Sequence, residues 1–567
     1  MNATTEIRPA EPRVTVQVRF ADGATYEGPR GTTLDAFVGA AYPRRRPPVM
    51  AALVDGELAE LCRPVDRDVM VTLVDTSMGD GMRIYQRSVT MMLVVAVREL
   101  FPEARVMVDH SVTQGGFHCR LLGREPLNAA ELALVEGRMR AMVEADEPIV
   151  SERISTAEAL ALFTAQGYAD KARLLAFREE PTLPVARLRG VTDYFYGYMA
   201  PRTGALGQFA LRPDADGFIL QLPQRHRPMV LAPAKDYPKL MRVFGEYGRW
   251  LNILGLEDIG SLNEAVQQGR AREAVLVSEA LHEKHIADLA DAIAARGDGV
   301  RVVLIAGPSS SGKTTFARRL AIQLRVNGRR PFALGLDDYF VDRERTPRDA
   351  SGEYDFEALE AIDLSLLNAH IGALLAGRAV AVPHFDFVAG RGRPGPEVRL
   401  SPGAIIVAEG IHALNPALLR DIPPEAVYRI YVSALTQLNI DHHNRVPTTD
   451  CRLLRRIVRD AQYRGYSARD TIERWESVRL GEERNIFPFQ ENADVMFNSA
   501  LAYELAVLKT YAEPLLMRVP QDTLAAVEAR RLLAFLRWVL PCPADLVPDN
   551  SLLREFIGGS ILADFSF

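Results

Sequence analysis

From Val14 the chain alternates apolar and polar positions in VTVQVRF, turns at Ala21-Asp22-Gly23 and resumes with ATYEG, a pattern that predicts a β-hairpin. Residues 32–41 have helical spacing, VMAALVDGEL predicts a strand and turn, and VMVTLVD closes a small sheet unit near Asp75. Past Gly79-Asp80-Gly81, helical periodicity over 88–101, 129–144 and 156–166 mixes with short strand patterns as far as Pro223, predicting an α+β unit. Residues 231 to 295 carry apolar side chains at helical spacing, as in LVSEALHEKHIADLADAIAA, and predict a helical connector. From VRVVLIAG to about Pro520, apolar strands alternate with amphipathic helices, the order expected of a parallel sheet with crossover helices on both faces. The remainder after Asp522 is predicted mostly helical. The expected division is therefore 1–78, 79–230, 231–297, 298–520 and 521–567, consistent with a chain of 567 residues that exceeds a single core.

Composition narrows the class. Hydrophobic residues make up 48% and charged residues 25%, the balance of a globular protein, and the net charge of −6 argues against a broad non-specific nucleic-acid surface. Cys62, Cys119, Cys451 and Cys542 lie far apart without a CxxC pair, so neither a disulfide framework nor a thiolate zinc site is suggested, and a reducing cytoplasm is expected. The start MNATTEIRPAEPR lacks an apolar targeting core, and the longest apolar run, Met91 to Val97, is too short to cross a bilayer, so no membrane partner is expected.

The chemistry concentrates in the fourth segment. Gly307-Pro308-Ser309-Ser310-Ser311-Gly312-Lys313-Thr314 fits GxxxxGK[ST] between the apolar strand VVLIAG and the helix TTFARRLAIQL. Glycines allow a tight loop whose N–H groups, through Thr315 at the helix start, face the phosphates of ATP; Lys313 supplies positive charge and Thr314 can ligate Mg²⁺. Asp337 and Asp338 close the strand PFALGL at the carboxyl edge of the sheet, where one carboxylate can accept the proton of an attacking hydroxyl and the other can cap the turn. Glu409 ends AIIVAEG on the same edge, suited to Mg²⁺ or to a merely satisfied strand end. In DCRLLRRIVRDAQYRG, Arg452, Arg455, Arg456 and Arg459 share one helix face, which reads as a solvated charged face alone and as a lid over the nucleotide beside a P-loop.

The order GPSSSGKTT, LDDYF, YDF, VPHFDF, VAEGIHAL and RLLRRIVRDAQYRG resembles the uridine kinase and phosphoribulokinase family over about 220 residues. The resemblance implies a P-loop kinase fold and, by position, Asp337 as the base, Asp355 on the ribose hydroxyls, Phe385 and Phe387 lining the base pocket, and Glu409 serving Mg²⁺. Arg456, Arg459 and Arg464 fall on lid arginines, Arg459 and Arg464 toward ATP and Arg456 toward the acceptor. Three departures bear on the acceptor: Gly390 where a histidine would read the pyrimidine, Tyr466 for a lid arginine, and Phe385 for a frequent tyrosine. Losing polar groups that read a base weakens discrimination, so kinase chemistry is expected and uridine specificity is not assured.

The N-terminal half resembles the start of threonyl-tRNA synthetase, a TGS-type β-grasp domain over 1–78 followed by an editing-like domain over 79–230. Editing domains of that type carry HxxxH on the first helix and a later Cys and His. Here Arg87 and Met91 take the histidine positions and Asp193-Tyr194-Phe195-Tyr196-Gly197-Tyr198 supplies aromatics, so editing chemistry is not expected. His110, His118 and Cys119 are nearby polar candidates for a metal, but an isolated histidine or a buried cysteine is more often structural, and that is the reading favoured here. The expectation is an ATP- and Mg²⁺-dependent kinase of the 5′-hydroxyl of uridine, cytidine or a related acceptor, with RNA contact through the N-terminal half. The alternative is a nucleotide-switched RNA- or ribosome-binding module.

Overall fold

The computed structural model describes residues 13–43, 45–214, 216–233, 235–348, 352, 354–386, 389–565 and 567. Phe387 lies outside them, and nothing is assigned to it structurally.

The first hairpin forms as Thr15–Phe20 against Thr25–Pro29, and Thr15–Phe20 pairs in parallel with Val69–Asp75 in a mixed five-stranded sheet. Helix Leu34–Ala41 covers one face: Thr33 accepts from the Ala36 N–H, fixing its start, and Phe37 packs on Val16, Val18 and Val71.

The following helix spans Gly79–Leu100, beginning nine residues before the periodicity predicts. Gly81 marks close packing here and not a chain break, since a Cβ there would come within 2.0 Å of the Asp75 carbonyl oxygen. Asp80 in the first turn complements the helix N-terminus. The helix is buried on nearly every side, from Met82 to Val97, between the first sheet and an antiparallel sheet ordered Ala210–Asp214, Gly217–Gln221, Gly116–Leu122, Arg105–Ser111. All-round burial explains why amphipathic periodicity fades along it.

Helices Pro238–Leu254, Ile259–Gln267 and Ala271–Ala295 lead to a five-stranded parallel sheet ordered Arg330–Gly335, Ala404–Glu409, Val302–Ala306, Val427–Ser433, Val495–Asn498. Val302–Ala306 is fully buried because helices cover both faces, so the strand reads as a continuous apolar run. The segment after Asp522 folds back onto this unit. Leu532 and Phe535 of helix Ala525–Leu536, and Leu552, Leu553 and Phe556 further on, share a core with Val303 and Ile305, and the Phe567 carbonyl accepts from the Ala333 N–H at the sheet edge.

A buried charge cluster joins the two halves. Lys171 Nζ lies 3.1 Å from Asp193 Oδ1 and 3.2 Å from Asp441 Oδ1, and Asp193 Oδ2 lies 2.6 Å from His443 Nδ1. Asn444 donates to the Tyr194 carbonyl and accepts from the Tyr196 N–H, so the loop 441–445 is stitched to 193–196.

Candidate active site

The phosphate-binding loop is shaped by two positive φ angles, 57° at Ser310 and 86° at Gly312, before helix Lys313–Val326 begins. A Cβ on Gly312 would also meet Leu552 at 2.3 Å, so this glycine is required twice. Gly307 is equally constrained, by the Val432 carbonyl oxygen 2.0 Å from where its Cβ would stand. Lys313 Nζ folds back onto the Gly307 and Pro308 carbonyls, at 2.9 and 3.1 Å, and burial pushes its pKa down.

Thr314 Oγ1 donates to Glu409 Oε1 at 2.8 Å, bringing together the two oxygens that the sequence assigns to a metal. Hard oxygen donors on a strand end and a helix N-terminus fit Mg²⁺, which takes one or two protein ligands and leaves the rest to phosphates and water. Burial pushes the Glu409 carboxyl up to about 7, against the opposing pull of Lys313 and of the Thr314 hydroxyl.

The neighbouring aspartates separate cleanly. Asp338 Oδ1 lies 3.0 Å from His384 Nδ1 and accepts from the Phe385 N–H, so it anchors the hairpin Val380–Asp386/Arg391–Val398. Among the described residues nothing donates to the Asp337 carboxylate. Asp337 is open to solvent, and the protein mass around it raises its pKa, with Lys313 and Arg464 opposing and Asp338 reinforcing.

Asp355 Oδ1 accepts from the Glu357 N–H, which organises the loop that carries it. Phe385 is buried, edge-on to Phe340 at 5.7 Å. Gly390 sits in the hairpin turn at φ 67°, its N–H donating to the Asp386 carbonyl, and a Cβ there would press on Arg343 at 2.8 Å. That tight turn leaves no room for a base-reading side chain at this position.

The arginine helix divides the expected lid in two. Arg452 and Arg455 are fully buried; Arg452 pairs with Glu482 and donates to the Ser309 carbonyl, and Arg455 pairs with Glu504 and donates to the Ser310 carbonyl. They brace the loop from behind, which corrects the expectation that all four arginines form a mobile, nucleotide-facing set: eight of the twelve residues of Thr448–Arg459 are buried. Arg456 donates to Ser309 Oγ at 2.8 Å and to Asp460. Arg459 and Arg464 also face Asp460, at 3.8 and 3.3 Å, where the helix widens into a π turn over Asp460–Arg464. Burial, reinforced by Arg464, pushes Arg459 down to about 10.

Three acidic residues of the site escaped the sequence reading. Glu482 Oε1 accepts from the Ser309 N–H at 2.9 Å, and Glu555 Oε2 accepts from the Thr315 N–H at 3.0 Å, so two of the amides expected on phosphate are held by carboxylates of this chain. Glu357 is pushed up to about 7 by burial and by Glu482. Glu482, on helix Ala468–Asn485, and Glu555, on the short helix Arg554–Ile557, are distant from the P-loop in sequence, and only folding brings them to it.

Residues 302–505 match the Phosphoribulokinase / Uridine kinase family. Over that segment, which holds the P-loop, the chain is similar to the kinases of this family. Over the N-terminal half the chain is similar to threonyl-tRNA ligases. It is 28% identical over 204 residues to that of Burkholderia vietnamiensis, covering 36% of this chain and 32% of that one, and 32% identical over 166 residues to that of Halorhodospira halophila, covering 29% and 26%. The chain thus spans about a third of the length of these relatives. Among solved structures, the possible uridine kinase of Bacillus stearothermophilus is 22% identical, with TM-score 0.27, over 38% of this chain and 98% of its own.

In the synthetase-like half, Met91 is buried in the core, and the Arg87 guanidinium donates to the Tyr196 carbonyl and packs on Gly197. Two positions that would carry metal-ligating or acid–base histidines are therefore given to packing and to the joint with loop 441–445.

Proposed function

We propose that this chain transfers the γ-phosphoryl group of ATP to a hydroxyl of a nucleoside or related small molecule, the 5′-hydroxyl of uridine or cytidine being the first acceptor to test. The observation that carries the reading is the division of labour at the sheet edge: Asp338 is consumed by the hairpin, Asp337 is left without a donor, and Thr314 and Glu409 meet beside Lys313. A carboxylate with a raised pKa suits proton acceptance from a hydroxyl. Lys313, released from the loop carbonyls, reaches the transferred group, and Arg459 and Arg464 offset charge on the phosphoryl oxygens. Mg²⁺, bound by Thr314 and Glu409, would supply charge neutralisation on the phosphates. Arg456 and Asp355 stand on the acceptor side, with Phe385 as an apolar wall.

The turn at Gly390 favours an acceptor other than uridine as the variant of this reading, since no side chain there can pair with a pyrimidine edge. The test is ADP release with ATP and Mg²⁺ across a panel of nucleosides and sugar phosphates, with Asp337→Asn as control. Acceptor-stimulated release that disappears in the variant supports the kinase. The likeness to threonyl-tRNA ligases favours a second reading, an RNA-binding module switched by nucleotide, with the N-terminal TGS-like sheet as the contact. Salt-resistant binding of tRNA together with no acceptor-dependent ADP release would replace the first reading by the second.

A further inference from the structure

Far from the P-loop, Asp109, His110 and His118 bring three ligand atoms within 4.8 Å of one another, all on neighbouring strands of the antiparallel sheet. In a regular strand Asp109 and His110 would point to opposite faces. The ladder between Arg105–Ser111 and Gly116–Leu122 is interrupted between Val108 and His110, so that Asp109 is the extra residue of a bulge while His110 pairs directly across to His118. A bulge of this kind re-aims a side chain, and here it turns the carboxylate toward the two imidazoles.

The distances are those of ligands and not of hydrogen bonds. His110 Nδ1 lies 3.7 Å and His118 Nδ1 3.6 Å from the same oxygen, Asp109 Oδ2, both too long for a hydrogen bond. Both Nδ1 atoms are buried and have no hydrogen-bond partner among the described residues, although the His side chains are only 4% and 2% exposed. The two rings stack at 4.9 Å, and their buried, unpartnered Nδ1 atoms flank one carboxylate oxygen without bonding it, a need that an ion held among the three atoms would meet.

His118 Nε2 lies 3.2 Å from Asp216 Oδ1 and 3.6 Å from Asp214 Oδ2 without a hydrogen bond to either, so both of its ring nitrogens are without a partner among the described residues. His110 Nε2 faces Met241 Sδ at 3.4 Å, and its ring stacks on Phe244 at 4.1 Å. Arg120 Nε donates to the same Asp109 Oδ2 at 3.1 Å, which orients the carboxylate and leaves that oxygen its second lone pair for an ion. Across the joint, Asn439 donates to the Val108 and Asp109 carbonyls.

The geometry points to a binding site for a divalent first-row transition ion, such as Zn²⁺, held by Asp109 Oδ2 and the Nδ1 atoms of His110 and His118. Two imidazoles and a carboxylate select such an ion over Mg²⁺ or Ca²⁺, and bonds of about 2.1 Å would draw the three atoms closer together than they stand here. Because the site lies where the sheet, helix Pro238–Leu254 and loop 439–445 meet, the ion would fasten the two halves.

The test uses the full chain, stripped with chelator, dialysed against Zn²⁺ with Mg²⁺ in large excess to saturate an all-oxygen site, and analysed for metal. About one zinc retained per chain, lost in both His118→Gln and Asp109→Asn, is the expected result. Co²⁺ loaded in place of zinc should give the intense visible absorption of a low-coordinate site in the unsubstituted chain, a readout that does not depend on whether the variants fold. No retained zinc, zinc retained equally by both variants, or a Co²⁺ spectrum indistinguishable from the hydrated ion overturns the assignment.

Discussion

Lys171→Met would cut the fastening between the synthetase-like half and the kinase unit at its most buried point. The ammonium is 1% exposed and lies 3.1 and 3.2 Å from two carboxylates that are themselves 1% and 0% exposed. At an effective dielectric constant of about 20, each contact carries roughly 5 kcal/mol of Coulomb attraction. Desolvation of the three groups offsets most of that sum, but the substitution removes the attraction and leaves Asp193 and Asp441 buried with His443 and the donors of Asn444 to hold them. Breaking a buried pair from one side costs about 3–5 kcal/mol. Methionine preserves the stem volume among Phe163, Tyr168, Tyr194 and Phe195, so the loss reports on charge and not on a cavity. Urea unfolding followed by far-ultraviolet circular dichroism measures the shift, and the double variant with Asp193→Asn should recover part of it. A loss of about 1 kcal/mol or less, or no recovery in the double variant, refutes the reasoning. Loop 441–445 runs directly into the arginine helix at Thr448, so acceptor-dependent ADP release should fall in the same variant.

Asp337→Asn should lower phosphoryl transfer by about 10²–10⁴-fold with the Kd for ATP little changed, measured by steady-state ADP release and by nucleotide titration. Glu555→Ala frees the Thr315 N–H for phosphate and removes from beside Arg459 a carboxylate that repels phosphate, so KM for ATP should fall several-fold; an unchanged or higher KM would show that this carboxylate does not compete with nucleotide. Glu409 is raised in the folded chain to about 7 from its ordinary 4.5, so between those values the folded state holds a proton there that the unfolded chain has released. Its contribution to stability is therefore lost as pH rises from about 4.5 to about 7 and is constant above that. Unfolding curves at pH 5 to 8 should show a shallower decline in Glu409→Gln than in the unsubstituted chain, and equal slopes would count against a buried carboxyl.

The sequence discloses the parallel sheet and the P-loop because both depend on short-range pattern: a buried strand reads as VVLIAG, and the tight turn after it demands glycine at 307 and 312. Asp337 and Glu409 are legible for the same reason, each being the polar residue that ends an apolar strand. Helix Gly79–Leu100 is hidden at its start because Gly81 looks like a breaker, when it is the close approach of Asp75 that requires it. The split among the arginines is hidden for a different reason. Arg452 and Arg455 lie on the helix face that meets Glu482 and Glu504, whereas Arg456 and Arg459 meet Asp460, and spacing alone cannot tell one face from the other.

What remained out of reach of pattern is where separate segments meet. Glu482 and Glu555 are ordinary helix carboxylates until the fold sets them on the amides of Ser309 and Thr315. His443, Asp193 and Lys171 are three unremarkable polar residues until loop 441–445 docks on 193–196. Both sets act on the same machinery. The first holds two amides of the phosphate loop, and the second fixes the loop from which the arginine helix departs, so that the position of Arg456 on Ser309 depends on how the synthetase-like half is seated. A ligand or ion that tightened that seat would be felt at the P-loop through a continuous run of packed groups, from Asp193 through His443 and Asn444 to Thr448, and without any contact of its own to nucleotide.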